Sequence, residues 1–155
     1  MPIHPLSNTT GLRILAASIA LVAASPAFAQ FQKAEDAIKY RQSTFSVMAT
    51  HFSRIGAVIK GEVPYNKEDV AKNAAIVAAL STLPWQAFGP GTEGGNALPG
   101  VWTDASKFKA GSEKMQVAVA NLNQAAQSGN LESIKKAFSA NGQTCKACHD
   151  DFKKK

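Results

Sequence analysis

Leu131, Ile134, Phe138, Asn141, Cys145, Cys148 and Phe152 recur at three- and four-residue spacing near the C-terminus. That spacing is one face of an α-helix. The face is too narrow to form a core by itself and needs partner helices. It also carries both cysteines of the chain, with His149 directly after the second. Any fold for this sequence must bury this stripe and find a use for two thiols and an imidazole on it.

The rest of the chain supplies the partners. A first helical pattern runs from about Lys33 to Lys60, with Ile38, Phe45, Met48, Phe52, Ile55 and Ile59 on its stripe, and Gly61 and Pro64 after it. A second runs from about Lys67 to Phe88 through Val70, Ala74, Val77, Leu80 and Leu83, with Asn66 placed to cap it and Pro84 placed to kink its last turn. The segment 89–100, GPGTEGGNALPG, is too rich in glycine and proline for regular structure. A third pattern starts near Trp102 or Thr103 and runs to about Gln127, with Phe108, Met115, Val119 and Leu122 inward and Ser128-Gly129 as its stop. Asn130 is placed to cap the fourth. No segment alternates with period two over a useful length. The expectation is an all-α, antiparallel up-down-up-down four-helix bundle.

The first 29 residues read as an address. Arg13 precedes the uncharged apolar run ILAASIALVAA, and SPAFA then offers Ala27 and Ala29 in the small-residue pattern of a signal-peptidase site. The run is shorter than the about 20 residues that cross a bilayer. The expected organisation is a cleaved signal peptide, 1–29, and one domain, 30–155, in the periplasm with no membrane anchor after cleavage. Loss of Arg13 lowers the formal charge from +6 to about +5, a mild basic bias. The lysines are scattered apart from Lys153 to Lys155, so no nucleic-acid stripe is present.

Three chemistries use nearby thiols. A disulfide across i and i+3 inside a helical pattern closes a loop too small to stabilise much, and a thioredoxin-type site needs a βαβ context. Structural zinc needs four ligands, and beyond Cys145, Cys148, His149 and His51 there is no second close pair. Cys-x-x-Cys-His is the attachment signature of c-type haem. The two thiols would form thioethers with the two vinyl groups, and His149 would be the axial iron ligand. One haem c per chain, attached near the C-terminus, is expected.

CKACH at 145–149, KYRQS at 39–43 and LPWQAFGPGTEGG at 83–95 together resemble cytochrome c′ of proteobacteria over 30–155. The resemblance implies a homodimer through the first two helices. It also implies five-coordinate, mostly high-spin iron with an apolar face opposite the histidine, and binding of nitric oxide and carbon monoxide. It places Phe45 over the distal face, where many members have an aliphatic residue. It places Arg41, Gln42 and Asn96 in contact with haem or its propionates, and Lys153 near His149, where members often have arginine. Trp85 and Phe88 are expected along the porphyrin edge or in plain core.

The leading expectation is a periplasmic gas-binding haem protein concerned with nitric oxide scavenging or buffering, with electron transfer from an unknown periplasmic donor as a further possibility. The alternative is a six-coordinate low-spin electron carrier. Its second ligand would come from Met48, with His51 and Met115 as other candidates. No enzymatic role is expected, because no acid–base group lies on the first-helix core face.

Overall fold

The computed structural model describes residues 30–155; the expected signal peptide, 1–29, lies outside the described residues. Four long helices form the bundle: α1 (Ala34–Ile59), α2 (Lys67–Leu80), α4 (Ala105–Ser128) and α5 (Leu131–Phe152), with a short α3 (Gly100–Thr103) before α4. Their boundaries follow from local chemistry. The Asn66 side chain accepts from Asp69 N at 3.0 Å, and that of Asn130 from Ser133 N at 2.8 Å. Each supplies one of the acceptors that a helix N-terminus lacks. Gly129, at φ +76°, ends α4 in the left-handed conformation that a side chain would oppose.

Two boundaries differ from the sequence reading. The second pattern does not continue to Phe88. It stops at Leu80, and Pro84–Phe88 form a separate 3₁₀ turn. Ser81 and Thr82 turn their hydroxyls back onto Ala78 O and Ala79 O, and Pro84, lacking an N–H, suits the first position of a new turn. The third pattern is split as well. Asp104 leaves helical geometry at φ −125°, ψ 54°, and its side chain accepts from Lys107 N at 3.3 Å, so α4 starts at Ala105. Among the described residues the only strand-like pairing is an isolated bridge between Ala97 and Lys153.

The core has two parts. Ile55, Val70, Ala74, Leu122, Ala126 and Ile134 close the end of the bundle that holds the α1–α2 and α4–α5 turns. Met48, Val77, Met115 and Val119 form a second cluster nearer the other end. α1 packs on α2, α2 on α4 and α4 on α5, but α1 and α5 scarcely touch. They meet where Phe52 stacks on Phe138, ring centroids 4.1 Å apart and nearly parallel. Gly56 belongs to the same contact, because a Cβ there would come within 3.0 Å of Phe138 Cζ. Beyond that point the two helices leave a space between them.

Candidate functional site

That space is a cavity of about 650 Å³, within the range of small-molecule and cofactor sites. Cys145, Cys148, His149, Arg41, Gln42, Phe45, Asn96 and Lys153 all line it, as do Trp85 and Phe88. α5 contributes the thiols and imidazole on one side. α1 faces them with Phe45, and Met48 and Met115 lie in the floor with Val77 and Val119. His51 is not part of the lining. Its Nδ1 lies 2.8 Å from Asn73 Oδ1, so the partly buried ring is engaged across to α2.

The thiols and imidazole are all favoured in their neutral forms. Burial raises the pKa of Cys145, against weaker lowering by the Thr144 hydroxyl, and burial raises Cys148, with Cys145 and Asp151 adding to it. His149 is an exposed residue at the cavity mouth, yet loss of solvent around its ring is the largest influence on it. That loss lowers its pKa, Lys153 lowers it further, and Asp150 opposes them. A neutral imidazole keeps a nitrogen lone pair for a metal. Asn141, fully buried one turn before Cys145, has its Oδ1 3.5 Å from Thr144 Oγ1 and 3.9 Å from Cys145 Sγ.

Arg41 is almost fully buried, 3% exposed. Its Nη1 donates to Ala87 O at 2.7 Å and Thr92 O at 2.8 Å, and Nη2 donates to Gly94 O at 2.9 Å. The guanidinium lies 4.5 Å from the centre of the Phe88 ring and 5.6 Å from that of Trp102. Burial lowers its pKa, and Glu93 partly offsets this. The guanidinium that the family resemblance directs at a propionate therefore has both Nη atoms committed to the glycine loop. The loop folds over α1 closely enough to require glycine. At Gly95, φ +58°, a Cβ would fall 2.8 Å from Gln42 Nε2 and 2.9 Å from Ile38 Cγ2.

Lys153 lies just past α5, in extended backbone at φ −119°, ψ 135°. It is not one further turn of the helix, although its N–H still reaches His149 O at 3.2 Å. The tail instead pairs with the loop: Leu98 N donates to Phe152 O, Lys154 N to Asn96 O and Lys154 Nζ to Gly95 O. Asn96 and Ala97 are thereby held at the cavity edge. Sequence reasoning missed Thr92, Ala97 and Val101 as parts of this site. The first acts through a backbone carbonyl and the others through position alone, so none carried a residue-type signal.

The residues present fit a covalently held haem. Two thiols one helical turn apart and an imidazole border an apolar cavity between two helices that nothing else in the described chain fills. The sequence profile of the family described as Cytochrome C' matches residues 36–153. Cytochrome c′ of Alcaligenes xylosoxydans xylosoxydans is 48% identical over 126 residues, 81% of this chain and 99% of that protein. Cytochrome c′ of Rubrivivax gelatinosus is 47% identical over 129 residues, 81% of this chain and all of that protein. A solved nitric oxide complex of a leucine-to-alanine variant of cytochrome c prime from Alcaligenes xylosoxidans superposes with a TM-score of 0.79 at 47% identity, covering 81% of this chain and 99% of that one. The chain belongs to the cytochrome c′ family and is a c-type haem protein with covalently attached haem c.

Proposed function

We propose that the chain is a periplasmic haem protein that binds nitric oxide, and carbon monoxide, at an iron position left open by the protein, and that it scavenges or buffers nitric oxide. Cys145 and Cys148 would hold the haem through two thioethers, and His149 would be the one protein ligand to its iron. Haem supplies the iron at which a diatomic gas binds and which can exchange one electron. The chain's own residues hold the group, exclude water and decide what reaches it.

The observation that carries this reading is the asymmetry of the cavity. Its α5 side carries a neutral imidazole, and its α1 side carries Phe45, whose ring cannot ligate a metal. Phe45 is held edge-on to Trp85, centroids 5.7 Å apart, and 6.4 Å from Phe88. Such an apolar wall gives a bound water no hydrogen-bond partner. The nitric oxide complex of the related protein supports the same ligand here. Gln42 and Asn96 stand at the exposed rim, where propionates would meet solvent, and Arg41 fixes the loop that carries Asn96. The apolar run and small-residue site before Gln30 support export and a mature chain of 30–155. A homodimer through α1 and α2 is part of the same proposal.

Met48 favours a second reading, because it lines the cavity on the same helix as Phe45 and methionine is an iron ligand in other c-type cytochromes. The substitution Met48→Leu separates the two. If iron has one protein ligand, the visible spectrum of the ferrous protein keeps its high-spin form. A low-spin spectrum that becomes high-spin on this substitution would establish the electron-carrier reading instead.

A further inference from the structure

A second hollow of about 480 Å³ lies between the 3₁₀ turn, α3 and the start of α4. Trp85, Phe88, Val101 and Phe108 line both this hollow and the haem cavity. Those four side chains are therefore a partition with one face on each space. On its inner face the partition packs against Phe45, through the contacts of Trp85 and Phe88 already described. On its outer side the charged Glu93 and Lys109 are exposed among the lining residues.

Three members of the partition are rings: Trp85 and Phe88 lie 6.4 Å apart and nearly parallel, at 26°, and both meet Phe108 edge-on. Phe88 and Phe108 lie 4.9 Å apart at 61°, and Trp85 and Phe108 lie 5.8 Å apart at 67°. The indoles are tied: Trp85 Nε1 donates to Ser81 O and Trp102 Nε1 to Gly89 O. Phe88 and Phe108 have no polar atom to tie, and both are only partly buried. Neither ring makes a hydrogen bond, and both are held by packing alone, Phe88 with the Arg41 guanidinium 4.5 Å from its centre, so this pair is the part of the wall that can open without breaking a hydrogen bond.

We infer that this hollow is an antechamber through which an uncharged diatomic gas reaches the Phe45 side of the haem cavity, with Phe88 and Phe108 as its moving leaf. The inference rests on the gas-binding reading above. Nitric oxide and carbon monoxide are small, uncharged and weakly hydrated, so they partition into a space walled by aromatic and aliphatic groups. An ion would forfeit its hydration on leaving the Glu93 and Lys109 side. A route residue and a wall residue are distinguishable in principle. A group along the route changes the barrier in both directions equally and leaves the affinity alone, whereas Phe45 faces the bound gas and changes the affinity itself.

The test is Ala105→Trp in the haem-loaded protein. Ala105 is exposed at the first residue of α4 and lines the outer hollow but not the haem cavity. Association and dissociation of carbon monoxide with the ferrous protein are followed by stopped flow and flash photolysis. Both rates are expected to fall together by about tenfold, equivalent to about 1.4 kcal/mol on the barrier, with Kd unchanged. Unchanged rates overturn the route and leave gas binding intact, and so does a change in Kd carried by one rate only. If carbon monoxide produces no spectral change in the unsubstituted protein, the gas-binding reading fails and the route fails with it. A second measurement needs no kinetics: crystals of the unsubstituted haem protein under xenon pressure. Xenon against the Phe88 and Phe108 rings in the hollow is the expected result, because xenon binds to apolar walls. A hollow filled by ordered water under the same pressure contradicts the inference.

Discussion

Replacing Arg41 by alanine tests how the wall of the haem cavity is held in place. The guanidinium makes three short hydrogen bonds, one to a carbonyl of the 3₁₀ turn and two to the glycine loop, while 3% exposed. Hydrogen bonds to a charged group contribute about 1.5–3 kcal/mol each, but their sum overstates the loss. Removing Arg41 also removes the cost of burying its charge, the same burial that lowers its pKa. Ala87 O would keep the Thr92 hydroxyl at 3.2 Å, whereas Thr92 O and Gly94 O would lose a donor. Leaving a buried acceptor without a donor costs about 1–3 kcal/mol, so two orphaned carbonyls, less the relieved cost of burying the charge, leave about 3 kcal/mol. For a chain of this size about 3 kcal/mol is a fall in Tm of roughly 10 °C. Lysine keeps the charge but lacks the planar fork, so Arg41→Lys is expected to restore less than half of the loss. Thermal unfolding of the haem protein gives the magnitude, and amide exchange at Gly94 to Ala97 shows whether the loop is what loosens. A Tm within about 2 °C of the unsubstituted protein, with unchanged exchange at those amides, would refute the reasoning. The loop would then be held by Thr92 and the tail alone.

Phe45→Ala removes the ring proposed to face the iron and is expected to tighten carbon monoxide binding by at least about tenfold, mainly through the association rate; unchanged affinity in flash photolysis would count against the ring as a distal wall. Asn141→Leu is expected to leave the haem protein as stable or up to about 1 kcal/mol more stable in urea, because a thioether at Cys145 has no S–H to donate and leaves Asn141 Oδ1 with only the long contact to Thr144; a clear loss of stability would reveal a partner for the amide in the haem-loaded state. In a haem-free chain with both cysteines replaced by serine, His149 has a folded pKa below its ordinary 6.5, from burial first and Lys153 second. The unfolded chain then binds the proton first as pH falls, so stability is full above the unfolded value and is lost as pH drops through the folded one. Lys153→Ala should shrink that loss, and stability that instead rises on acidification through this window would reverse the assignment.

The parts of the fold that rest on side-chain chemistry were legible in the sequence. The helical stripes, the caps at Asn66 and Asn130 and the stop at Gly129 each depend on a residue type at a fixed spacing. The site was legible for the same reason, because two thiols and an imidazole at that spacing have few uses. The parts that rest on backbone groups were not. Arg41 is readable as a cation on a helix, but the carbonyls of Ala87, Thr92 and Gly94 that receive it have no identity in the sequence. Lys153 follows His149 by one helical turn in number, yet the helix stops at Phe152 and the tail pairs with Ala97. The break between Leu80 and Pro84 was concealed because Leu83 keeps the apolar spacing across a segment that is not helical. The second hollow is invisible from stripes, since it is formed by the outer faces of rings whose inner faces satisfy the core pattern.

The optical and electron paramagnetic resonance spectra of the haem-loaded protein, recorded ferric and ferrous, before and after nitric oxide, are the most direct test. One haem per chain with a high-spin spectrum that shifts on adding nitric oxide is the expected result. A low-spin spectrum in both oxidation states that ignores the gas would mean that a second side chain already holds the iron, and would contradict the open apolar face on which the proposed function depends.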